Sequence, residues 1–507
     1  MAQKKVFMTG ASGGMGMASL KAMLPSVGHE YDLSVLVRDS EKNRKEMEPF
    51  VDVDGLDVVW GDLQDVGVLR DALRGVDLVL HIAAFVSPAA DYHPKIAMQV
   101  NYGGTKNLVD AIVNLGQEET TALVYIGTVA ETGDRMPPIH WGRVGDPVKP
   151  SMFDYYAVSK VAAERYVIES PLRYWASLRQ TGIIGPAMAK IRDAIQFHNC
   201  LDNVLEYVSD RDSGTMMAHL SSYDFAGTLP EGFWCHVYNI GGGETCRVDT
   251  YAMYKAMYAK MGFKSLDSVI DPKQYAIRNF HGQYYLDSDK LDDYLHFRSD
   301  DMRYFYDAYL KEVGAVRALA KIVCSVPGGQ KLMGGIIRST FKELLASDHG
   351  TQHFIDAGIE DHIDAFWGSR KAWEAIPEKV SDMDHFTDWN QVVRIDHGYD
   401  ETKPEGELAL EDVRAAARFR GGECLSDRMD KGDWKTKLTF RCAFGHEFDA
   451  SPRLVLEGGH WCPECERTSW NYGARAKVDP FFAQVWNPLH GADEMREYPK
   501  VVSELDV

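Results

Sequence analysis

The residue types most able to do chemistry stand in a telling order. A glycine-rich loop near the N-terminus, Gly10-Ala11-Ser12-Gly13-Gly14-Met15-Gly16, is followed by Thr128 at the end of an apolar run and then by Tyr156-Ala157-Val158-Ser159-Lys160. A nucleotide-binding loop alone says little about chemistry. With a hydroxyl, a phenol and an ammonium downstream in this order, it points to a redox enzyme. Tyr156 and Lys160 are four residues apart, which on a helix puts both side chains on one face.

These side chains need a scaffold, and the flanking sequence supplies one. Lys4 to Thr9 is a short apolar run, and Met15 to Leu24 has helix-favouring composition, so the loop sits where a strand turns into a helix. Glycines there permit a tight turn and let backbone N–H groups approach a pyrophosphate at the positive end of the helix dipole. The next apolar run, Leu33 to Val37, ends in Arg38-Asp39-Ser40. The tip of this strand is where a dinucleotide fold meets the adenosine ribose: an acid accepts from a 2′-hydroxyl, and an arginine accommodates a 2′-phosphate. Arg38 at this position, with Lys42 and Arg44 behind it, favours NADP(H); NAD is the alternative if Asp39 is the ribose ligand. Further strands are expected at Val58 to Leu63, whose Asp62 is placed for the adenine amino group, and at Leu78 to Ala84.

The chain resembles the extended short-chain dehydrogenase/reductases. The resemblance rests on Thr9 to Gly16, Gly61-Asp62-Leu63, His81-Ile82-Ala83-Ala84, Val100-Asn101-Tyr102-Gly103-Gly104-Thr105, Thr128, Tyr156-x-x-x-Lys160 and Leu178 to Pro186. It covers roughly the first 300 residues, is strongest up to Pro186, and lies nearest to dihydroflavonol-reductase-like and 3β-hydroxysteroid-dehydrogenase-like members. It implies an α/β fold: a doubly wound, Rossmann-type parallel sheet with a small substrate lobe. It further implies that Gly10, Ser12, Gly13, Gly14, Met15, Gly16, Arg38, Asp62, Leu63, Ala83, Ala84, Asn101 and Lys160 meet the cofactor. Tyr156 would be the acid/base, Lys160 and the oxidised nicotinamide would favour its phenolate, and Thr128 would donate to the reacting oxygen. A homodimer is implied on the same ground. One departure is that Gly127-Thr128-Val129-Ala130-Glu131 lacks the serines many members carry there.

The last fifth of the chain holds a second constellation. Cys442-x-x-x-His446 and Cys462-x-x-Cys465 supply four ligands for a tetrahedral zinc, with Cys424 or His460 as substitutes for one of them. The pattern resembles zinc-ribbon modules, and a closed four-ligand site would be structural.

Composition bounds the rest. At 507 residues and 45% hydrophobic content, the chain can fill two or three cores. A net charge of −20 and a pI near 5.3 speak against broad nucleic-acid or anionic-membrane binding. No run is long enough to span a bilayer, and the first strand begins almost at once, so a cytoplasmic protein is expected. The expected organisation is a dehydrogenase domain with its lobe over 1–310, a helical segment over 311–395 broken at Gly328-Gly329 and Gly334-Gly335, a linker over 396–408 and a zinc-ribbon-like domain over 409–507. Three functions compete. The first is reduction of a ketone, or oxidation of a secondary alcohol, by a dissociable cofactor. The second is a nucleotide-sugar epimerase or dehydratase with retained NAD, although a dehydratase would want an acidic pair just after Thr128. The third is a binding protein acting through the zinc module.

Overall fold

The computed structural model describes residues 3–503. Seven strands form one sheet: β1 (Lys4–Thr9), β2 (Tyr31–Val37), β3 (Leu56–Trp60), β4 (Leu78–His81), β5 (Ala122–Thr128), β6 (Tyr174–Gln180) and β7 (His236–Ile240). Their order is β3-β2-β1-β4-β5-β6-β7, with every neighbour parallel. The order reverses between β1 and β4, and this switch point opens a crevice beyond the carboxyl ends of the strands.

Alternation along β1 sorts the two cores. Val6 and Met8 join Leu33, Val35 and Leu80 on one face, while Phe7 joins Val79, Leu123 and Tyr125 on the other. Among the helices, α1 (Gly14–Met23), α2 (Gly104–Asn114), α3 (Tyr155–Ile168) and α4 (Asp210–Ala226) matter most for the site. Leu20 of α1 and Met216 of α4 close the first face; Leu108 of α2 and Val167 of α3 close the second.

The substrate lobe follows. An antiparallel pair, Val204–Glu206 with Arg247–Asp249, leads into α5 (Thr250–Lys260) and later α6 (Met302–Glu312). A helical hairpin comes next, α7 (Gly314–Cys324) and α8 (Gly329–Thr340). The expected break at Gly334-Gly335 does not occur, because α8 runs through it. Gly334 instead allows close approach: a Cβ there would stand 1.7 Å from the Ser268 carbonyl oxygen. The tryptophans of the helical segment tie it to the lobe, with Trp367 donating to the Tyr275 carbonyl and Trp373 to that of Lys273.

The C-terminal module begins at α9 (Leu410–Phe419) and continues as a three-stranded antiparallel ribbon, β8 (Glu423–Cys424), β9 (Leu438–Arg441) and β10 (Glu447–Ala450). It packs on the second sheet face, where Leu454, Val455 and Trp461 share one core with Ile168, Trp175 and Val237. The stretch 396–408 is fastened down: His397 is buried against Asp146 at 3.0 Å, and Glu401 pairs with Arg143. Among the described residues, no helix is long and apolar enough to cross a membrane.

Candidate functional site

The glycine loop forms the turn between β1 and α1. Gly10 has φ +83°, and a Cβ on it would lie 2.7 Å from the Ala83 amide nitrogen, so only glycine fits. A Cβ on Gly16 would stand 2.0 Å from the Gly10 oxygen, which fixes how closely α1 approaches β1. Gly13 and Gly14 are exposed at the mouth of the loop, Ser12 is half-buried, and Met15 points into the core. Free backbone N–H groups at the start of a ten-residue helix, with no side chain in front of them, make a cradle suited to a pyrophosphate.

The neighbouring strand ends complete the crevice. Thr9 Oγ1 accepts from the Ala83 amide at 3.1 Å, holding the half-buried Ala83-Ala84 turn beside the loop. The Asp62 carboxylate accepts from the Gln64 amide, and Leu63 is buried against Gly104. At the tip of β2, Asp39 is held by Arg44 through two bonds of 2.6 and 2.7 Å, and the Arg44 guanidinium lies over the Trp60 ring. Arg38 is exposed, with no carboxylate partner among the described residues.

Thr128, Tyr156 and Lys160 come together at the ends of β5 and α3. Asp154 caps α3 by accepting from the Ala157 amide at 2.8 Å, which starts the helix one residue before Tyr156. Tyr156 and Lys160 then share a face, and the Thr128 hydroxyl lies near enough to the Tyr156 phenol to bear on its titration. Tyr156 is half-buried; burial raises its phenol pKa and the nearby Thr128 hydroxyl opposes the rise. Lys160 is buried, its ammonium 4.1 Å from the Tyr125 ring centroid. Burial pulls it down to about 8 against the opposing charges of Glu131 and Glu164. Asn101 lies in a π-helical turn (Met98–Gly103) and bridges the Phe85 backbone to Ser159 on α3.

Beneath these residues lies a network that sequence inspection did not assemble. Arg179 sits between two fully buried carboxylates, 3.1 Å from Glu131 and 2.6 Å from Glu164. Glu164 also accepts from Ser177 and meets His460 of the C-terminal module at 2.9 Å. Burial pushes Glu164 up, but Arg179 and His460 outweigh it and hold the carboxyl well below its usual range. Burial and the Glu164 charge raise Glu131, whose carboxylate also accepts from the Thr128 amide. The available signal was spacing: Tyr156, Lys160 and Glu164 recur every fourth residue along one helix face.

The second constellation closes on itself. Nδ1 of His446 lies 3.5 Å from Cys442 Sγ and 3.6 Å from both Cys462 and Cys465, and Cys442 and Cys465 are 3.6 Å apart. All eight cysteines are free, and these sulfur separations are far beyond the roughly 2 Å of a disulfide. They match the edges of a tetrahedron with metal–sulfur bonds near 2.3 Å. The two alternative ligands are not in the cluster: His460 is engaged by Glu164, and Cys424 is buried in β8.

Residues 7–211 match the profile of the 3-beta hydroxysteroid dehydrogenase/isomerase family. An NAD-dependent glucose-6-phosphate dehydrogenase of Haloferax volcanii is 32% identical over 165 residues, covering 31% of this chain and 60% of that protein. The 3 beta-hydroxysteroid dehydrogenase type 7 of Mus musculus is 30% identical over 145 residues, covering 27% of this chain and 38% of that protein. A solved dTDP-glucose 4,6-dehydratase of Streptomyces venezuelae superposes with a TM-score of 0.49 at 21% identity, over 61% of this chain and 98% of that one. The likeness to this dehydrogenase family thus lies in the N-terminal region, over residues 7–211.

Proposed function

We propose that the protein is an NADP(H)-dependent oxidoreductase acting on a ketone or its secondary alcohol. What supports this reading is that Thr128 closes β5 near Tyr156, with Lys160 one turn further along α3, in a fold whose glycine loop is shaped for a pyrophosphate. A bound nicotinamide would supply or take up the hydride. In reduction, Tyr156 gives its phenolic proton to the substrate oxygen as the carbonyl carbon gains the hydride. Thr128 donates to the same oxygen as charge develops, and Lys160 steadies the phenolate left on Tyr156. Oxidation runs the same proton in reverse.

The choice of NADP(H) over NAD rests on the tip of β2. Asp39 is already spent on Arg44, whereas Arg38 is free to meet a 2′-phosphate. The dehydratase reading is weakened because Glu131, the acid nearest Thr128, is fully buried between Arg179 and the Thr128 amide. The epimerase reading predicts a retained NAD. Releasing and identifying any co-purified nucleotide, then titrating NADPH and NADH into wild type and Arg38→Asp, separates the two. An NADPH preference erased by the substitution supports the proposal. Tightly held NAD, indifferent to Arg38, overturns it.

Cys442, His446, Cys462 and Cys465 are proposed to hold a structural zinc. Four protein ligands leave no open position, so the ion would stabilise the module rather than take part in catalysis.

A further inference from the structure

The α7–α8 hairpin carries more apolar surface than the fold uses. Its inner side, with Ala320, Cys324 and Met333, is buried in one cluster with Met261, Phe263 and Leu266 of the lobe. Its outer side leaves Val316, Leu319, Ile322 and Val326 at 48, 56, 69 and 54% exposure, with Leu332 and Ile336 of α8 at 62 and 49%. Isolated exposed aliphatics are ordinary, but five on two adjacent helices and a sixth, Val326, in the turn between them form a patch that asks for a partner.

The charges around the patch say which kind. From residue 313 to 342 the chain has five basic side chains, Arg317, Lys321, Lys331, Arg338 and Lys342, and no acid. None of the five has a carboxylate partner among the described residues; Arg338 and Arg317 turn only to the Ser268 and Lys260 carbonyls. The whole-chain charge of −20 conceals this local excess. A twofold contact between copies would set these cations against their own image, which like-charge repulsion disfavours. An anionic surface has no such conflict. Helices of eleven and twelve residues are roughly 17–18 Å long, too short to span a bilayer but well suited to lie in its interface.

We propose that the α7–α8 hairpin docks the protein on an anionic lipid surface, burying the aliphatic stripe among the acyl chains while the lysines and arginines meet the headgroups. α6 joins this hairpin to the lobe and packs on the segment after Pro186, so a docked hairpin tethers the lobe to the surface.

The test is sedimentation of the full-length protein with vesicles of phosphatidylcholine alone, or with phosphatidylglycerol as roughly a third of the lipid. Binding to the anionic vesicles, weakened by salt, is expected. Ile322→Glu or Leu332→Glu should lower partitioning at least about tenfold, and Lys321→Gln or Lys331→Gln about fivefold each. All four positions are exposed, so an unchanged melting temperature would show that the variants are folded. Equal behaviour toward both vesicle types overturns the proposal. So does a dimer in sedimentation velocity that Ile322→Glu dissolves while wild type ignores vesicles, since the face would then belong to a second copy.

Discussion

His460 meets Glu164 at 2.9 Å although 296 residues separate them. Glu164 lies one helical turn beyond Lys160 and two beyond Tyr156, so the C-terminal module reaches the buried side of the helix that carries the proton-transfer residues. His460→Ala removes one partner from a carboxylate sealed from water, a loss of about 1.5–3 kcal/mol for a bond to a charged group. A lower melting temperature and a lower kcat are expected, with His460→Gln restoring most of both through its amide N–H. Unchanged kcat in a folded His460→Ala protein would make the contact purely structural.

Much of this was legible in the residues, and the reasons for the remainder are physical. Gly10 and Gly16 announce themselves because no other residue fits at those distances, and the four metal-type ligands announce themselves by spacing. The Glu131–Arg179–Glu164–His460 network does not, because its members come from four separate segments and only the packing of the module on the sheet brings them together. Gly334-Gly335 misled for a related reason: Gly334 serves close contact with Ser268 rather than a turn. The basic hairpin was hidden by averaging, since a net charge of −20 says nothing about thirty particular residues.

The titration of Lys160 gives a pH prediction with a definite sign. Burial lowers its pKa to about 8, so the ammonium is present below that pH and lost above it. Reduction uses a protonated Tyr156 and a charged Lys160, so kcat/KM for any ketone turned over with NADPH should fall as pH rises through about 8. Lys160→Arg, whose guanidinium does not titrate in this range, should move that limb to higher pH even if the overall rate drops. A limb unmoved by Lys160→Arg would assign the titration to another group.

Metal removal should be felt beyond the module. Structural zinc sites bind with about 10–16 kcal/mol in small domains, and here the ligand-bearing segment shares a core with the sheet through Trp461, Ile168 and Trp175. A strong chelator, or Cys465→Ser, should therefore lower the melting temperature of the whole chain. Elemental analysis should give about one zinc per chain in wild type and much less in the variant. A melting curve indifferent to chelation would remove zinc from the account.

The glycine loop separates folding from binding. Alanine at Gly16 must displace the Gly10 carbonyl from 2.0 Å, so α1 cannot keep its approach to β1 and stability should fall by several kcal/mol, of order ~3. Alanine at Gly14 meets nothing within 4 Å and sits at the first helical position, where stability should hold. Gly13 is the discriminating case. It is exposed, and its added Cβ would touch only the Gly10 oxygen, at 3.3 Å, a contact relieved by a shift of a few tenths of an ångström. If this surface receives the pyrophosphate, Gly13→Ala should melt within a few degrees of wild type yet bind NADPH at least about tenfold more weakly, as loss of backbone approach to a phosphate requires. Calorimetric titration beside a thermal melt tests the series, and a Gly13→Ala protein with full affinity would move the pyrophosphate elsewhere.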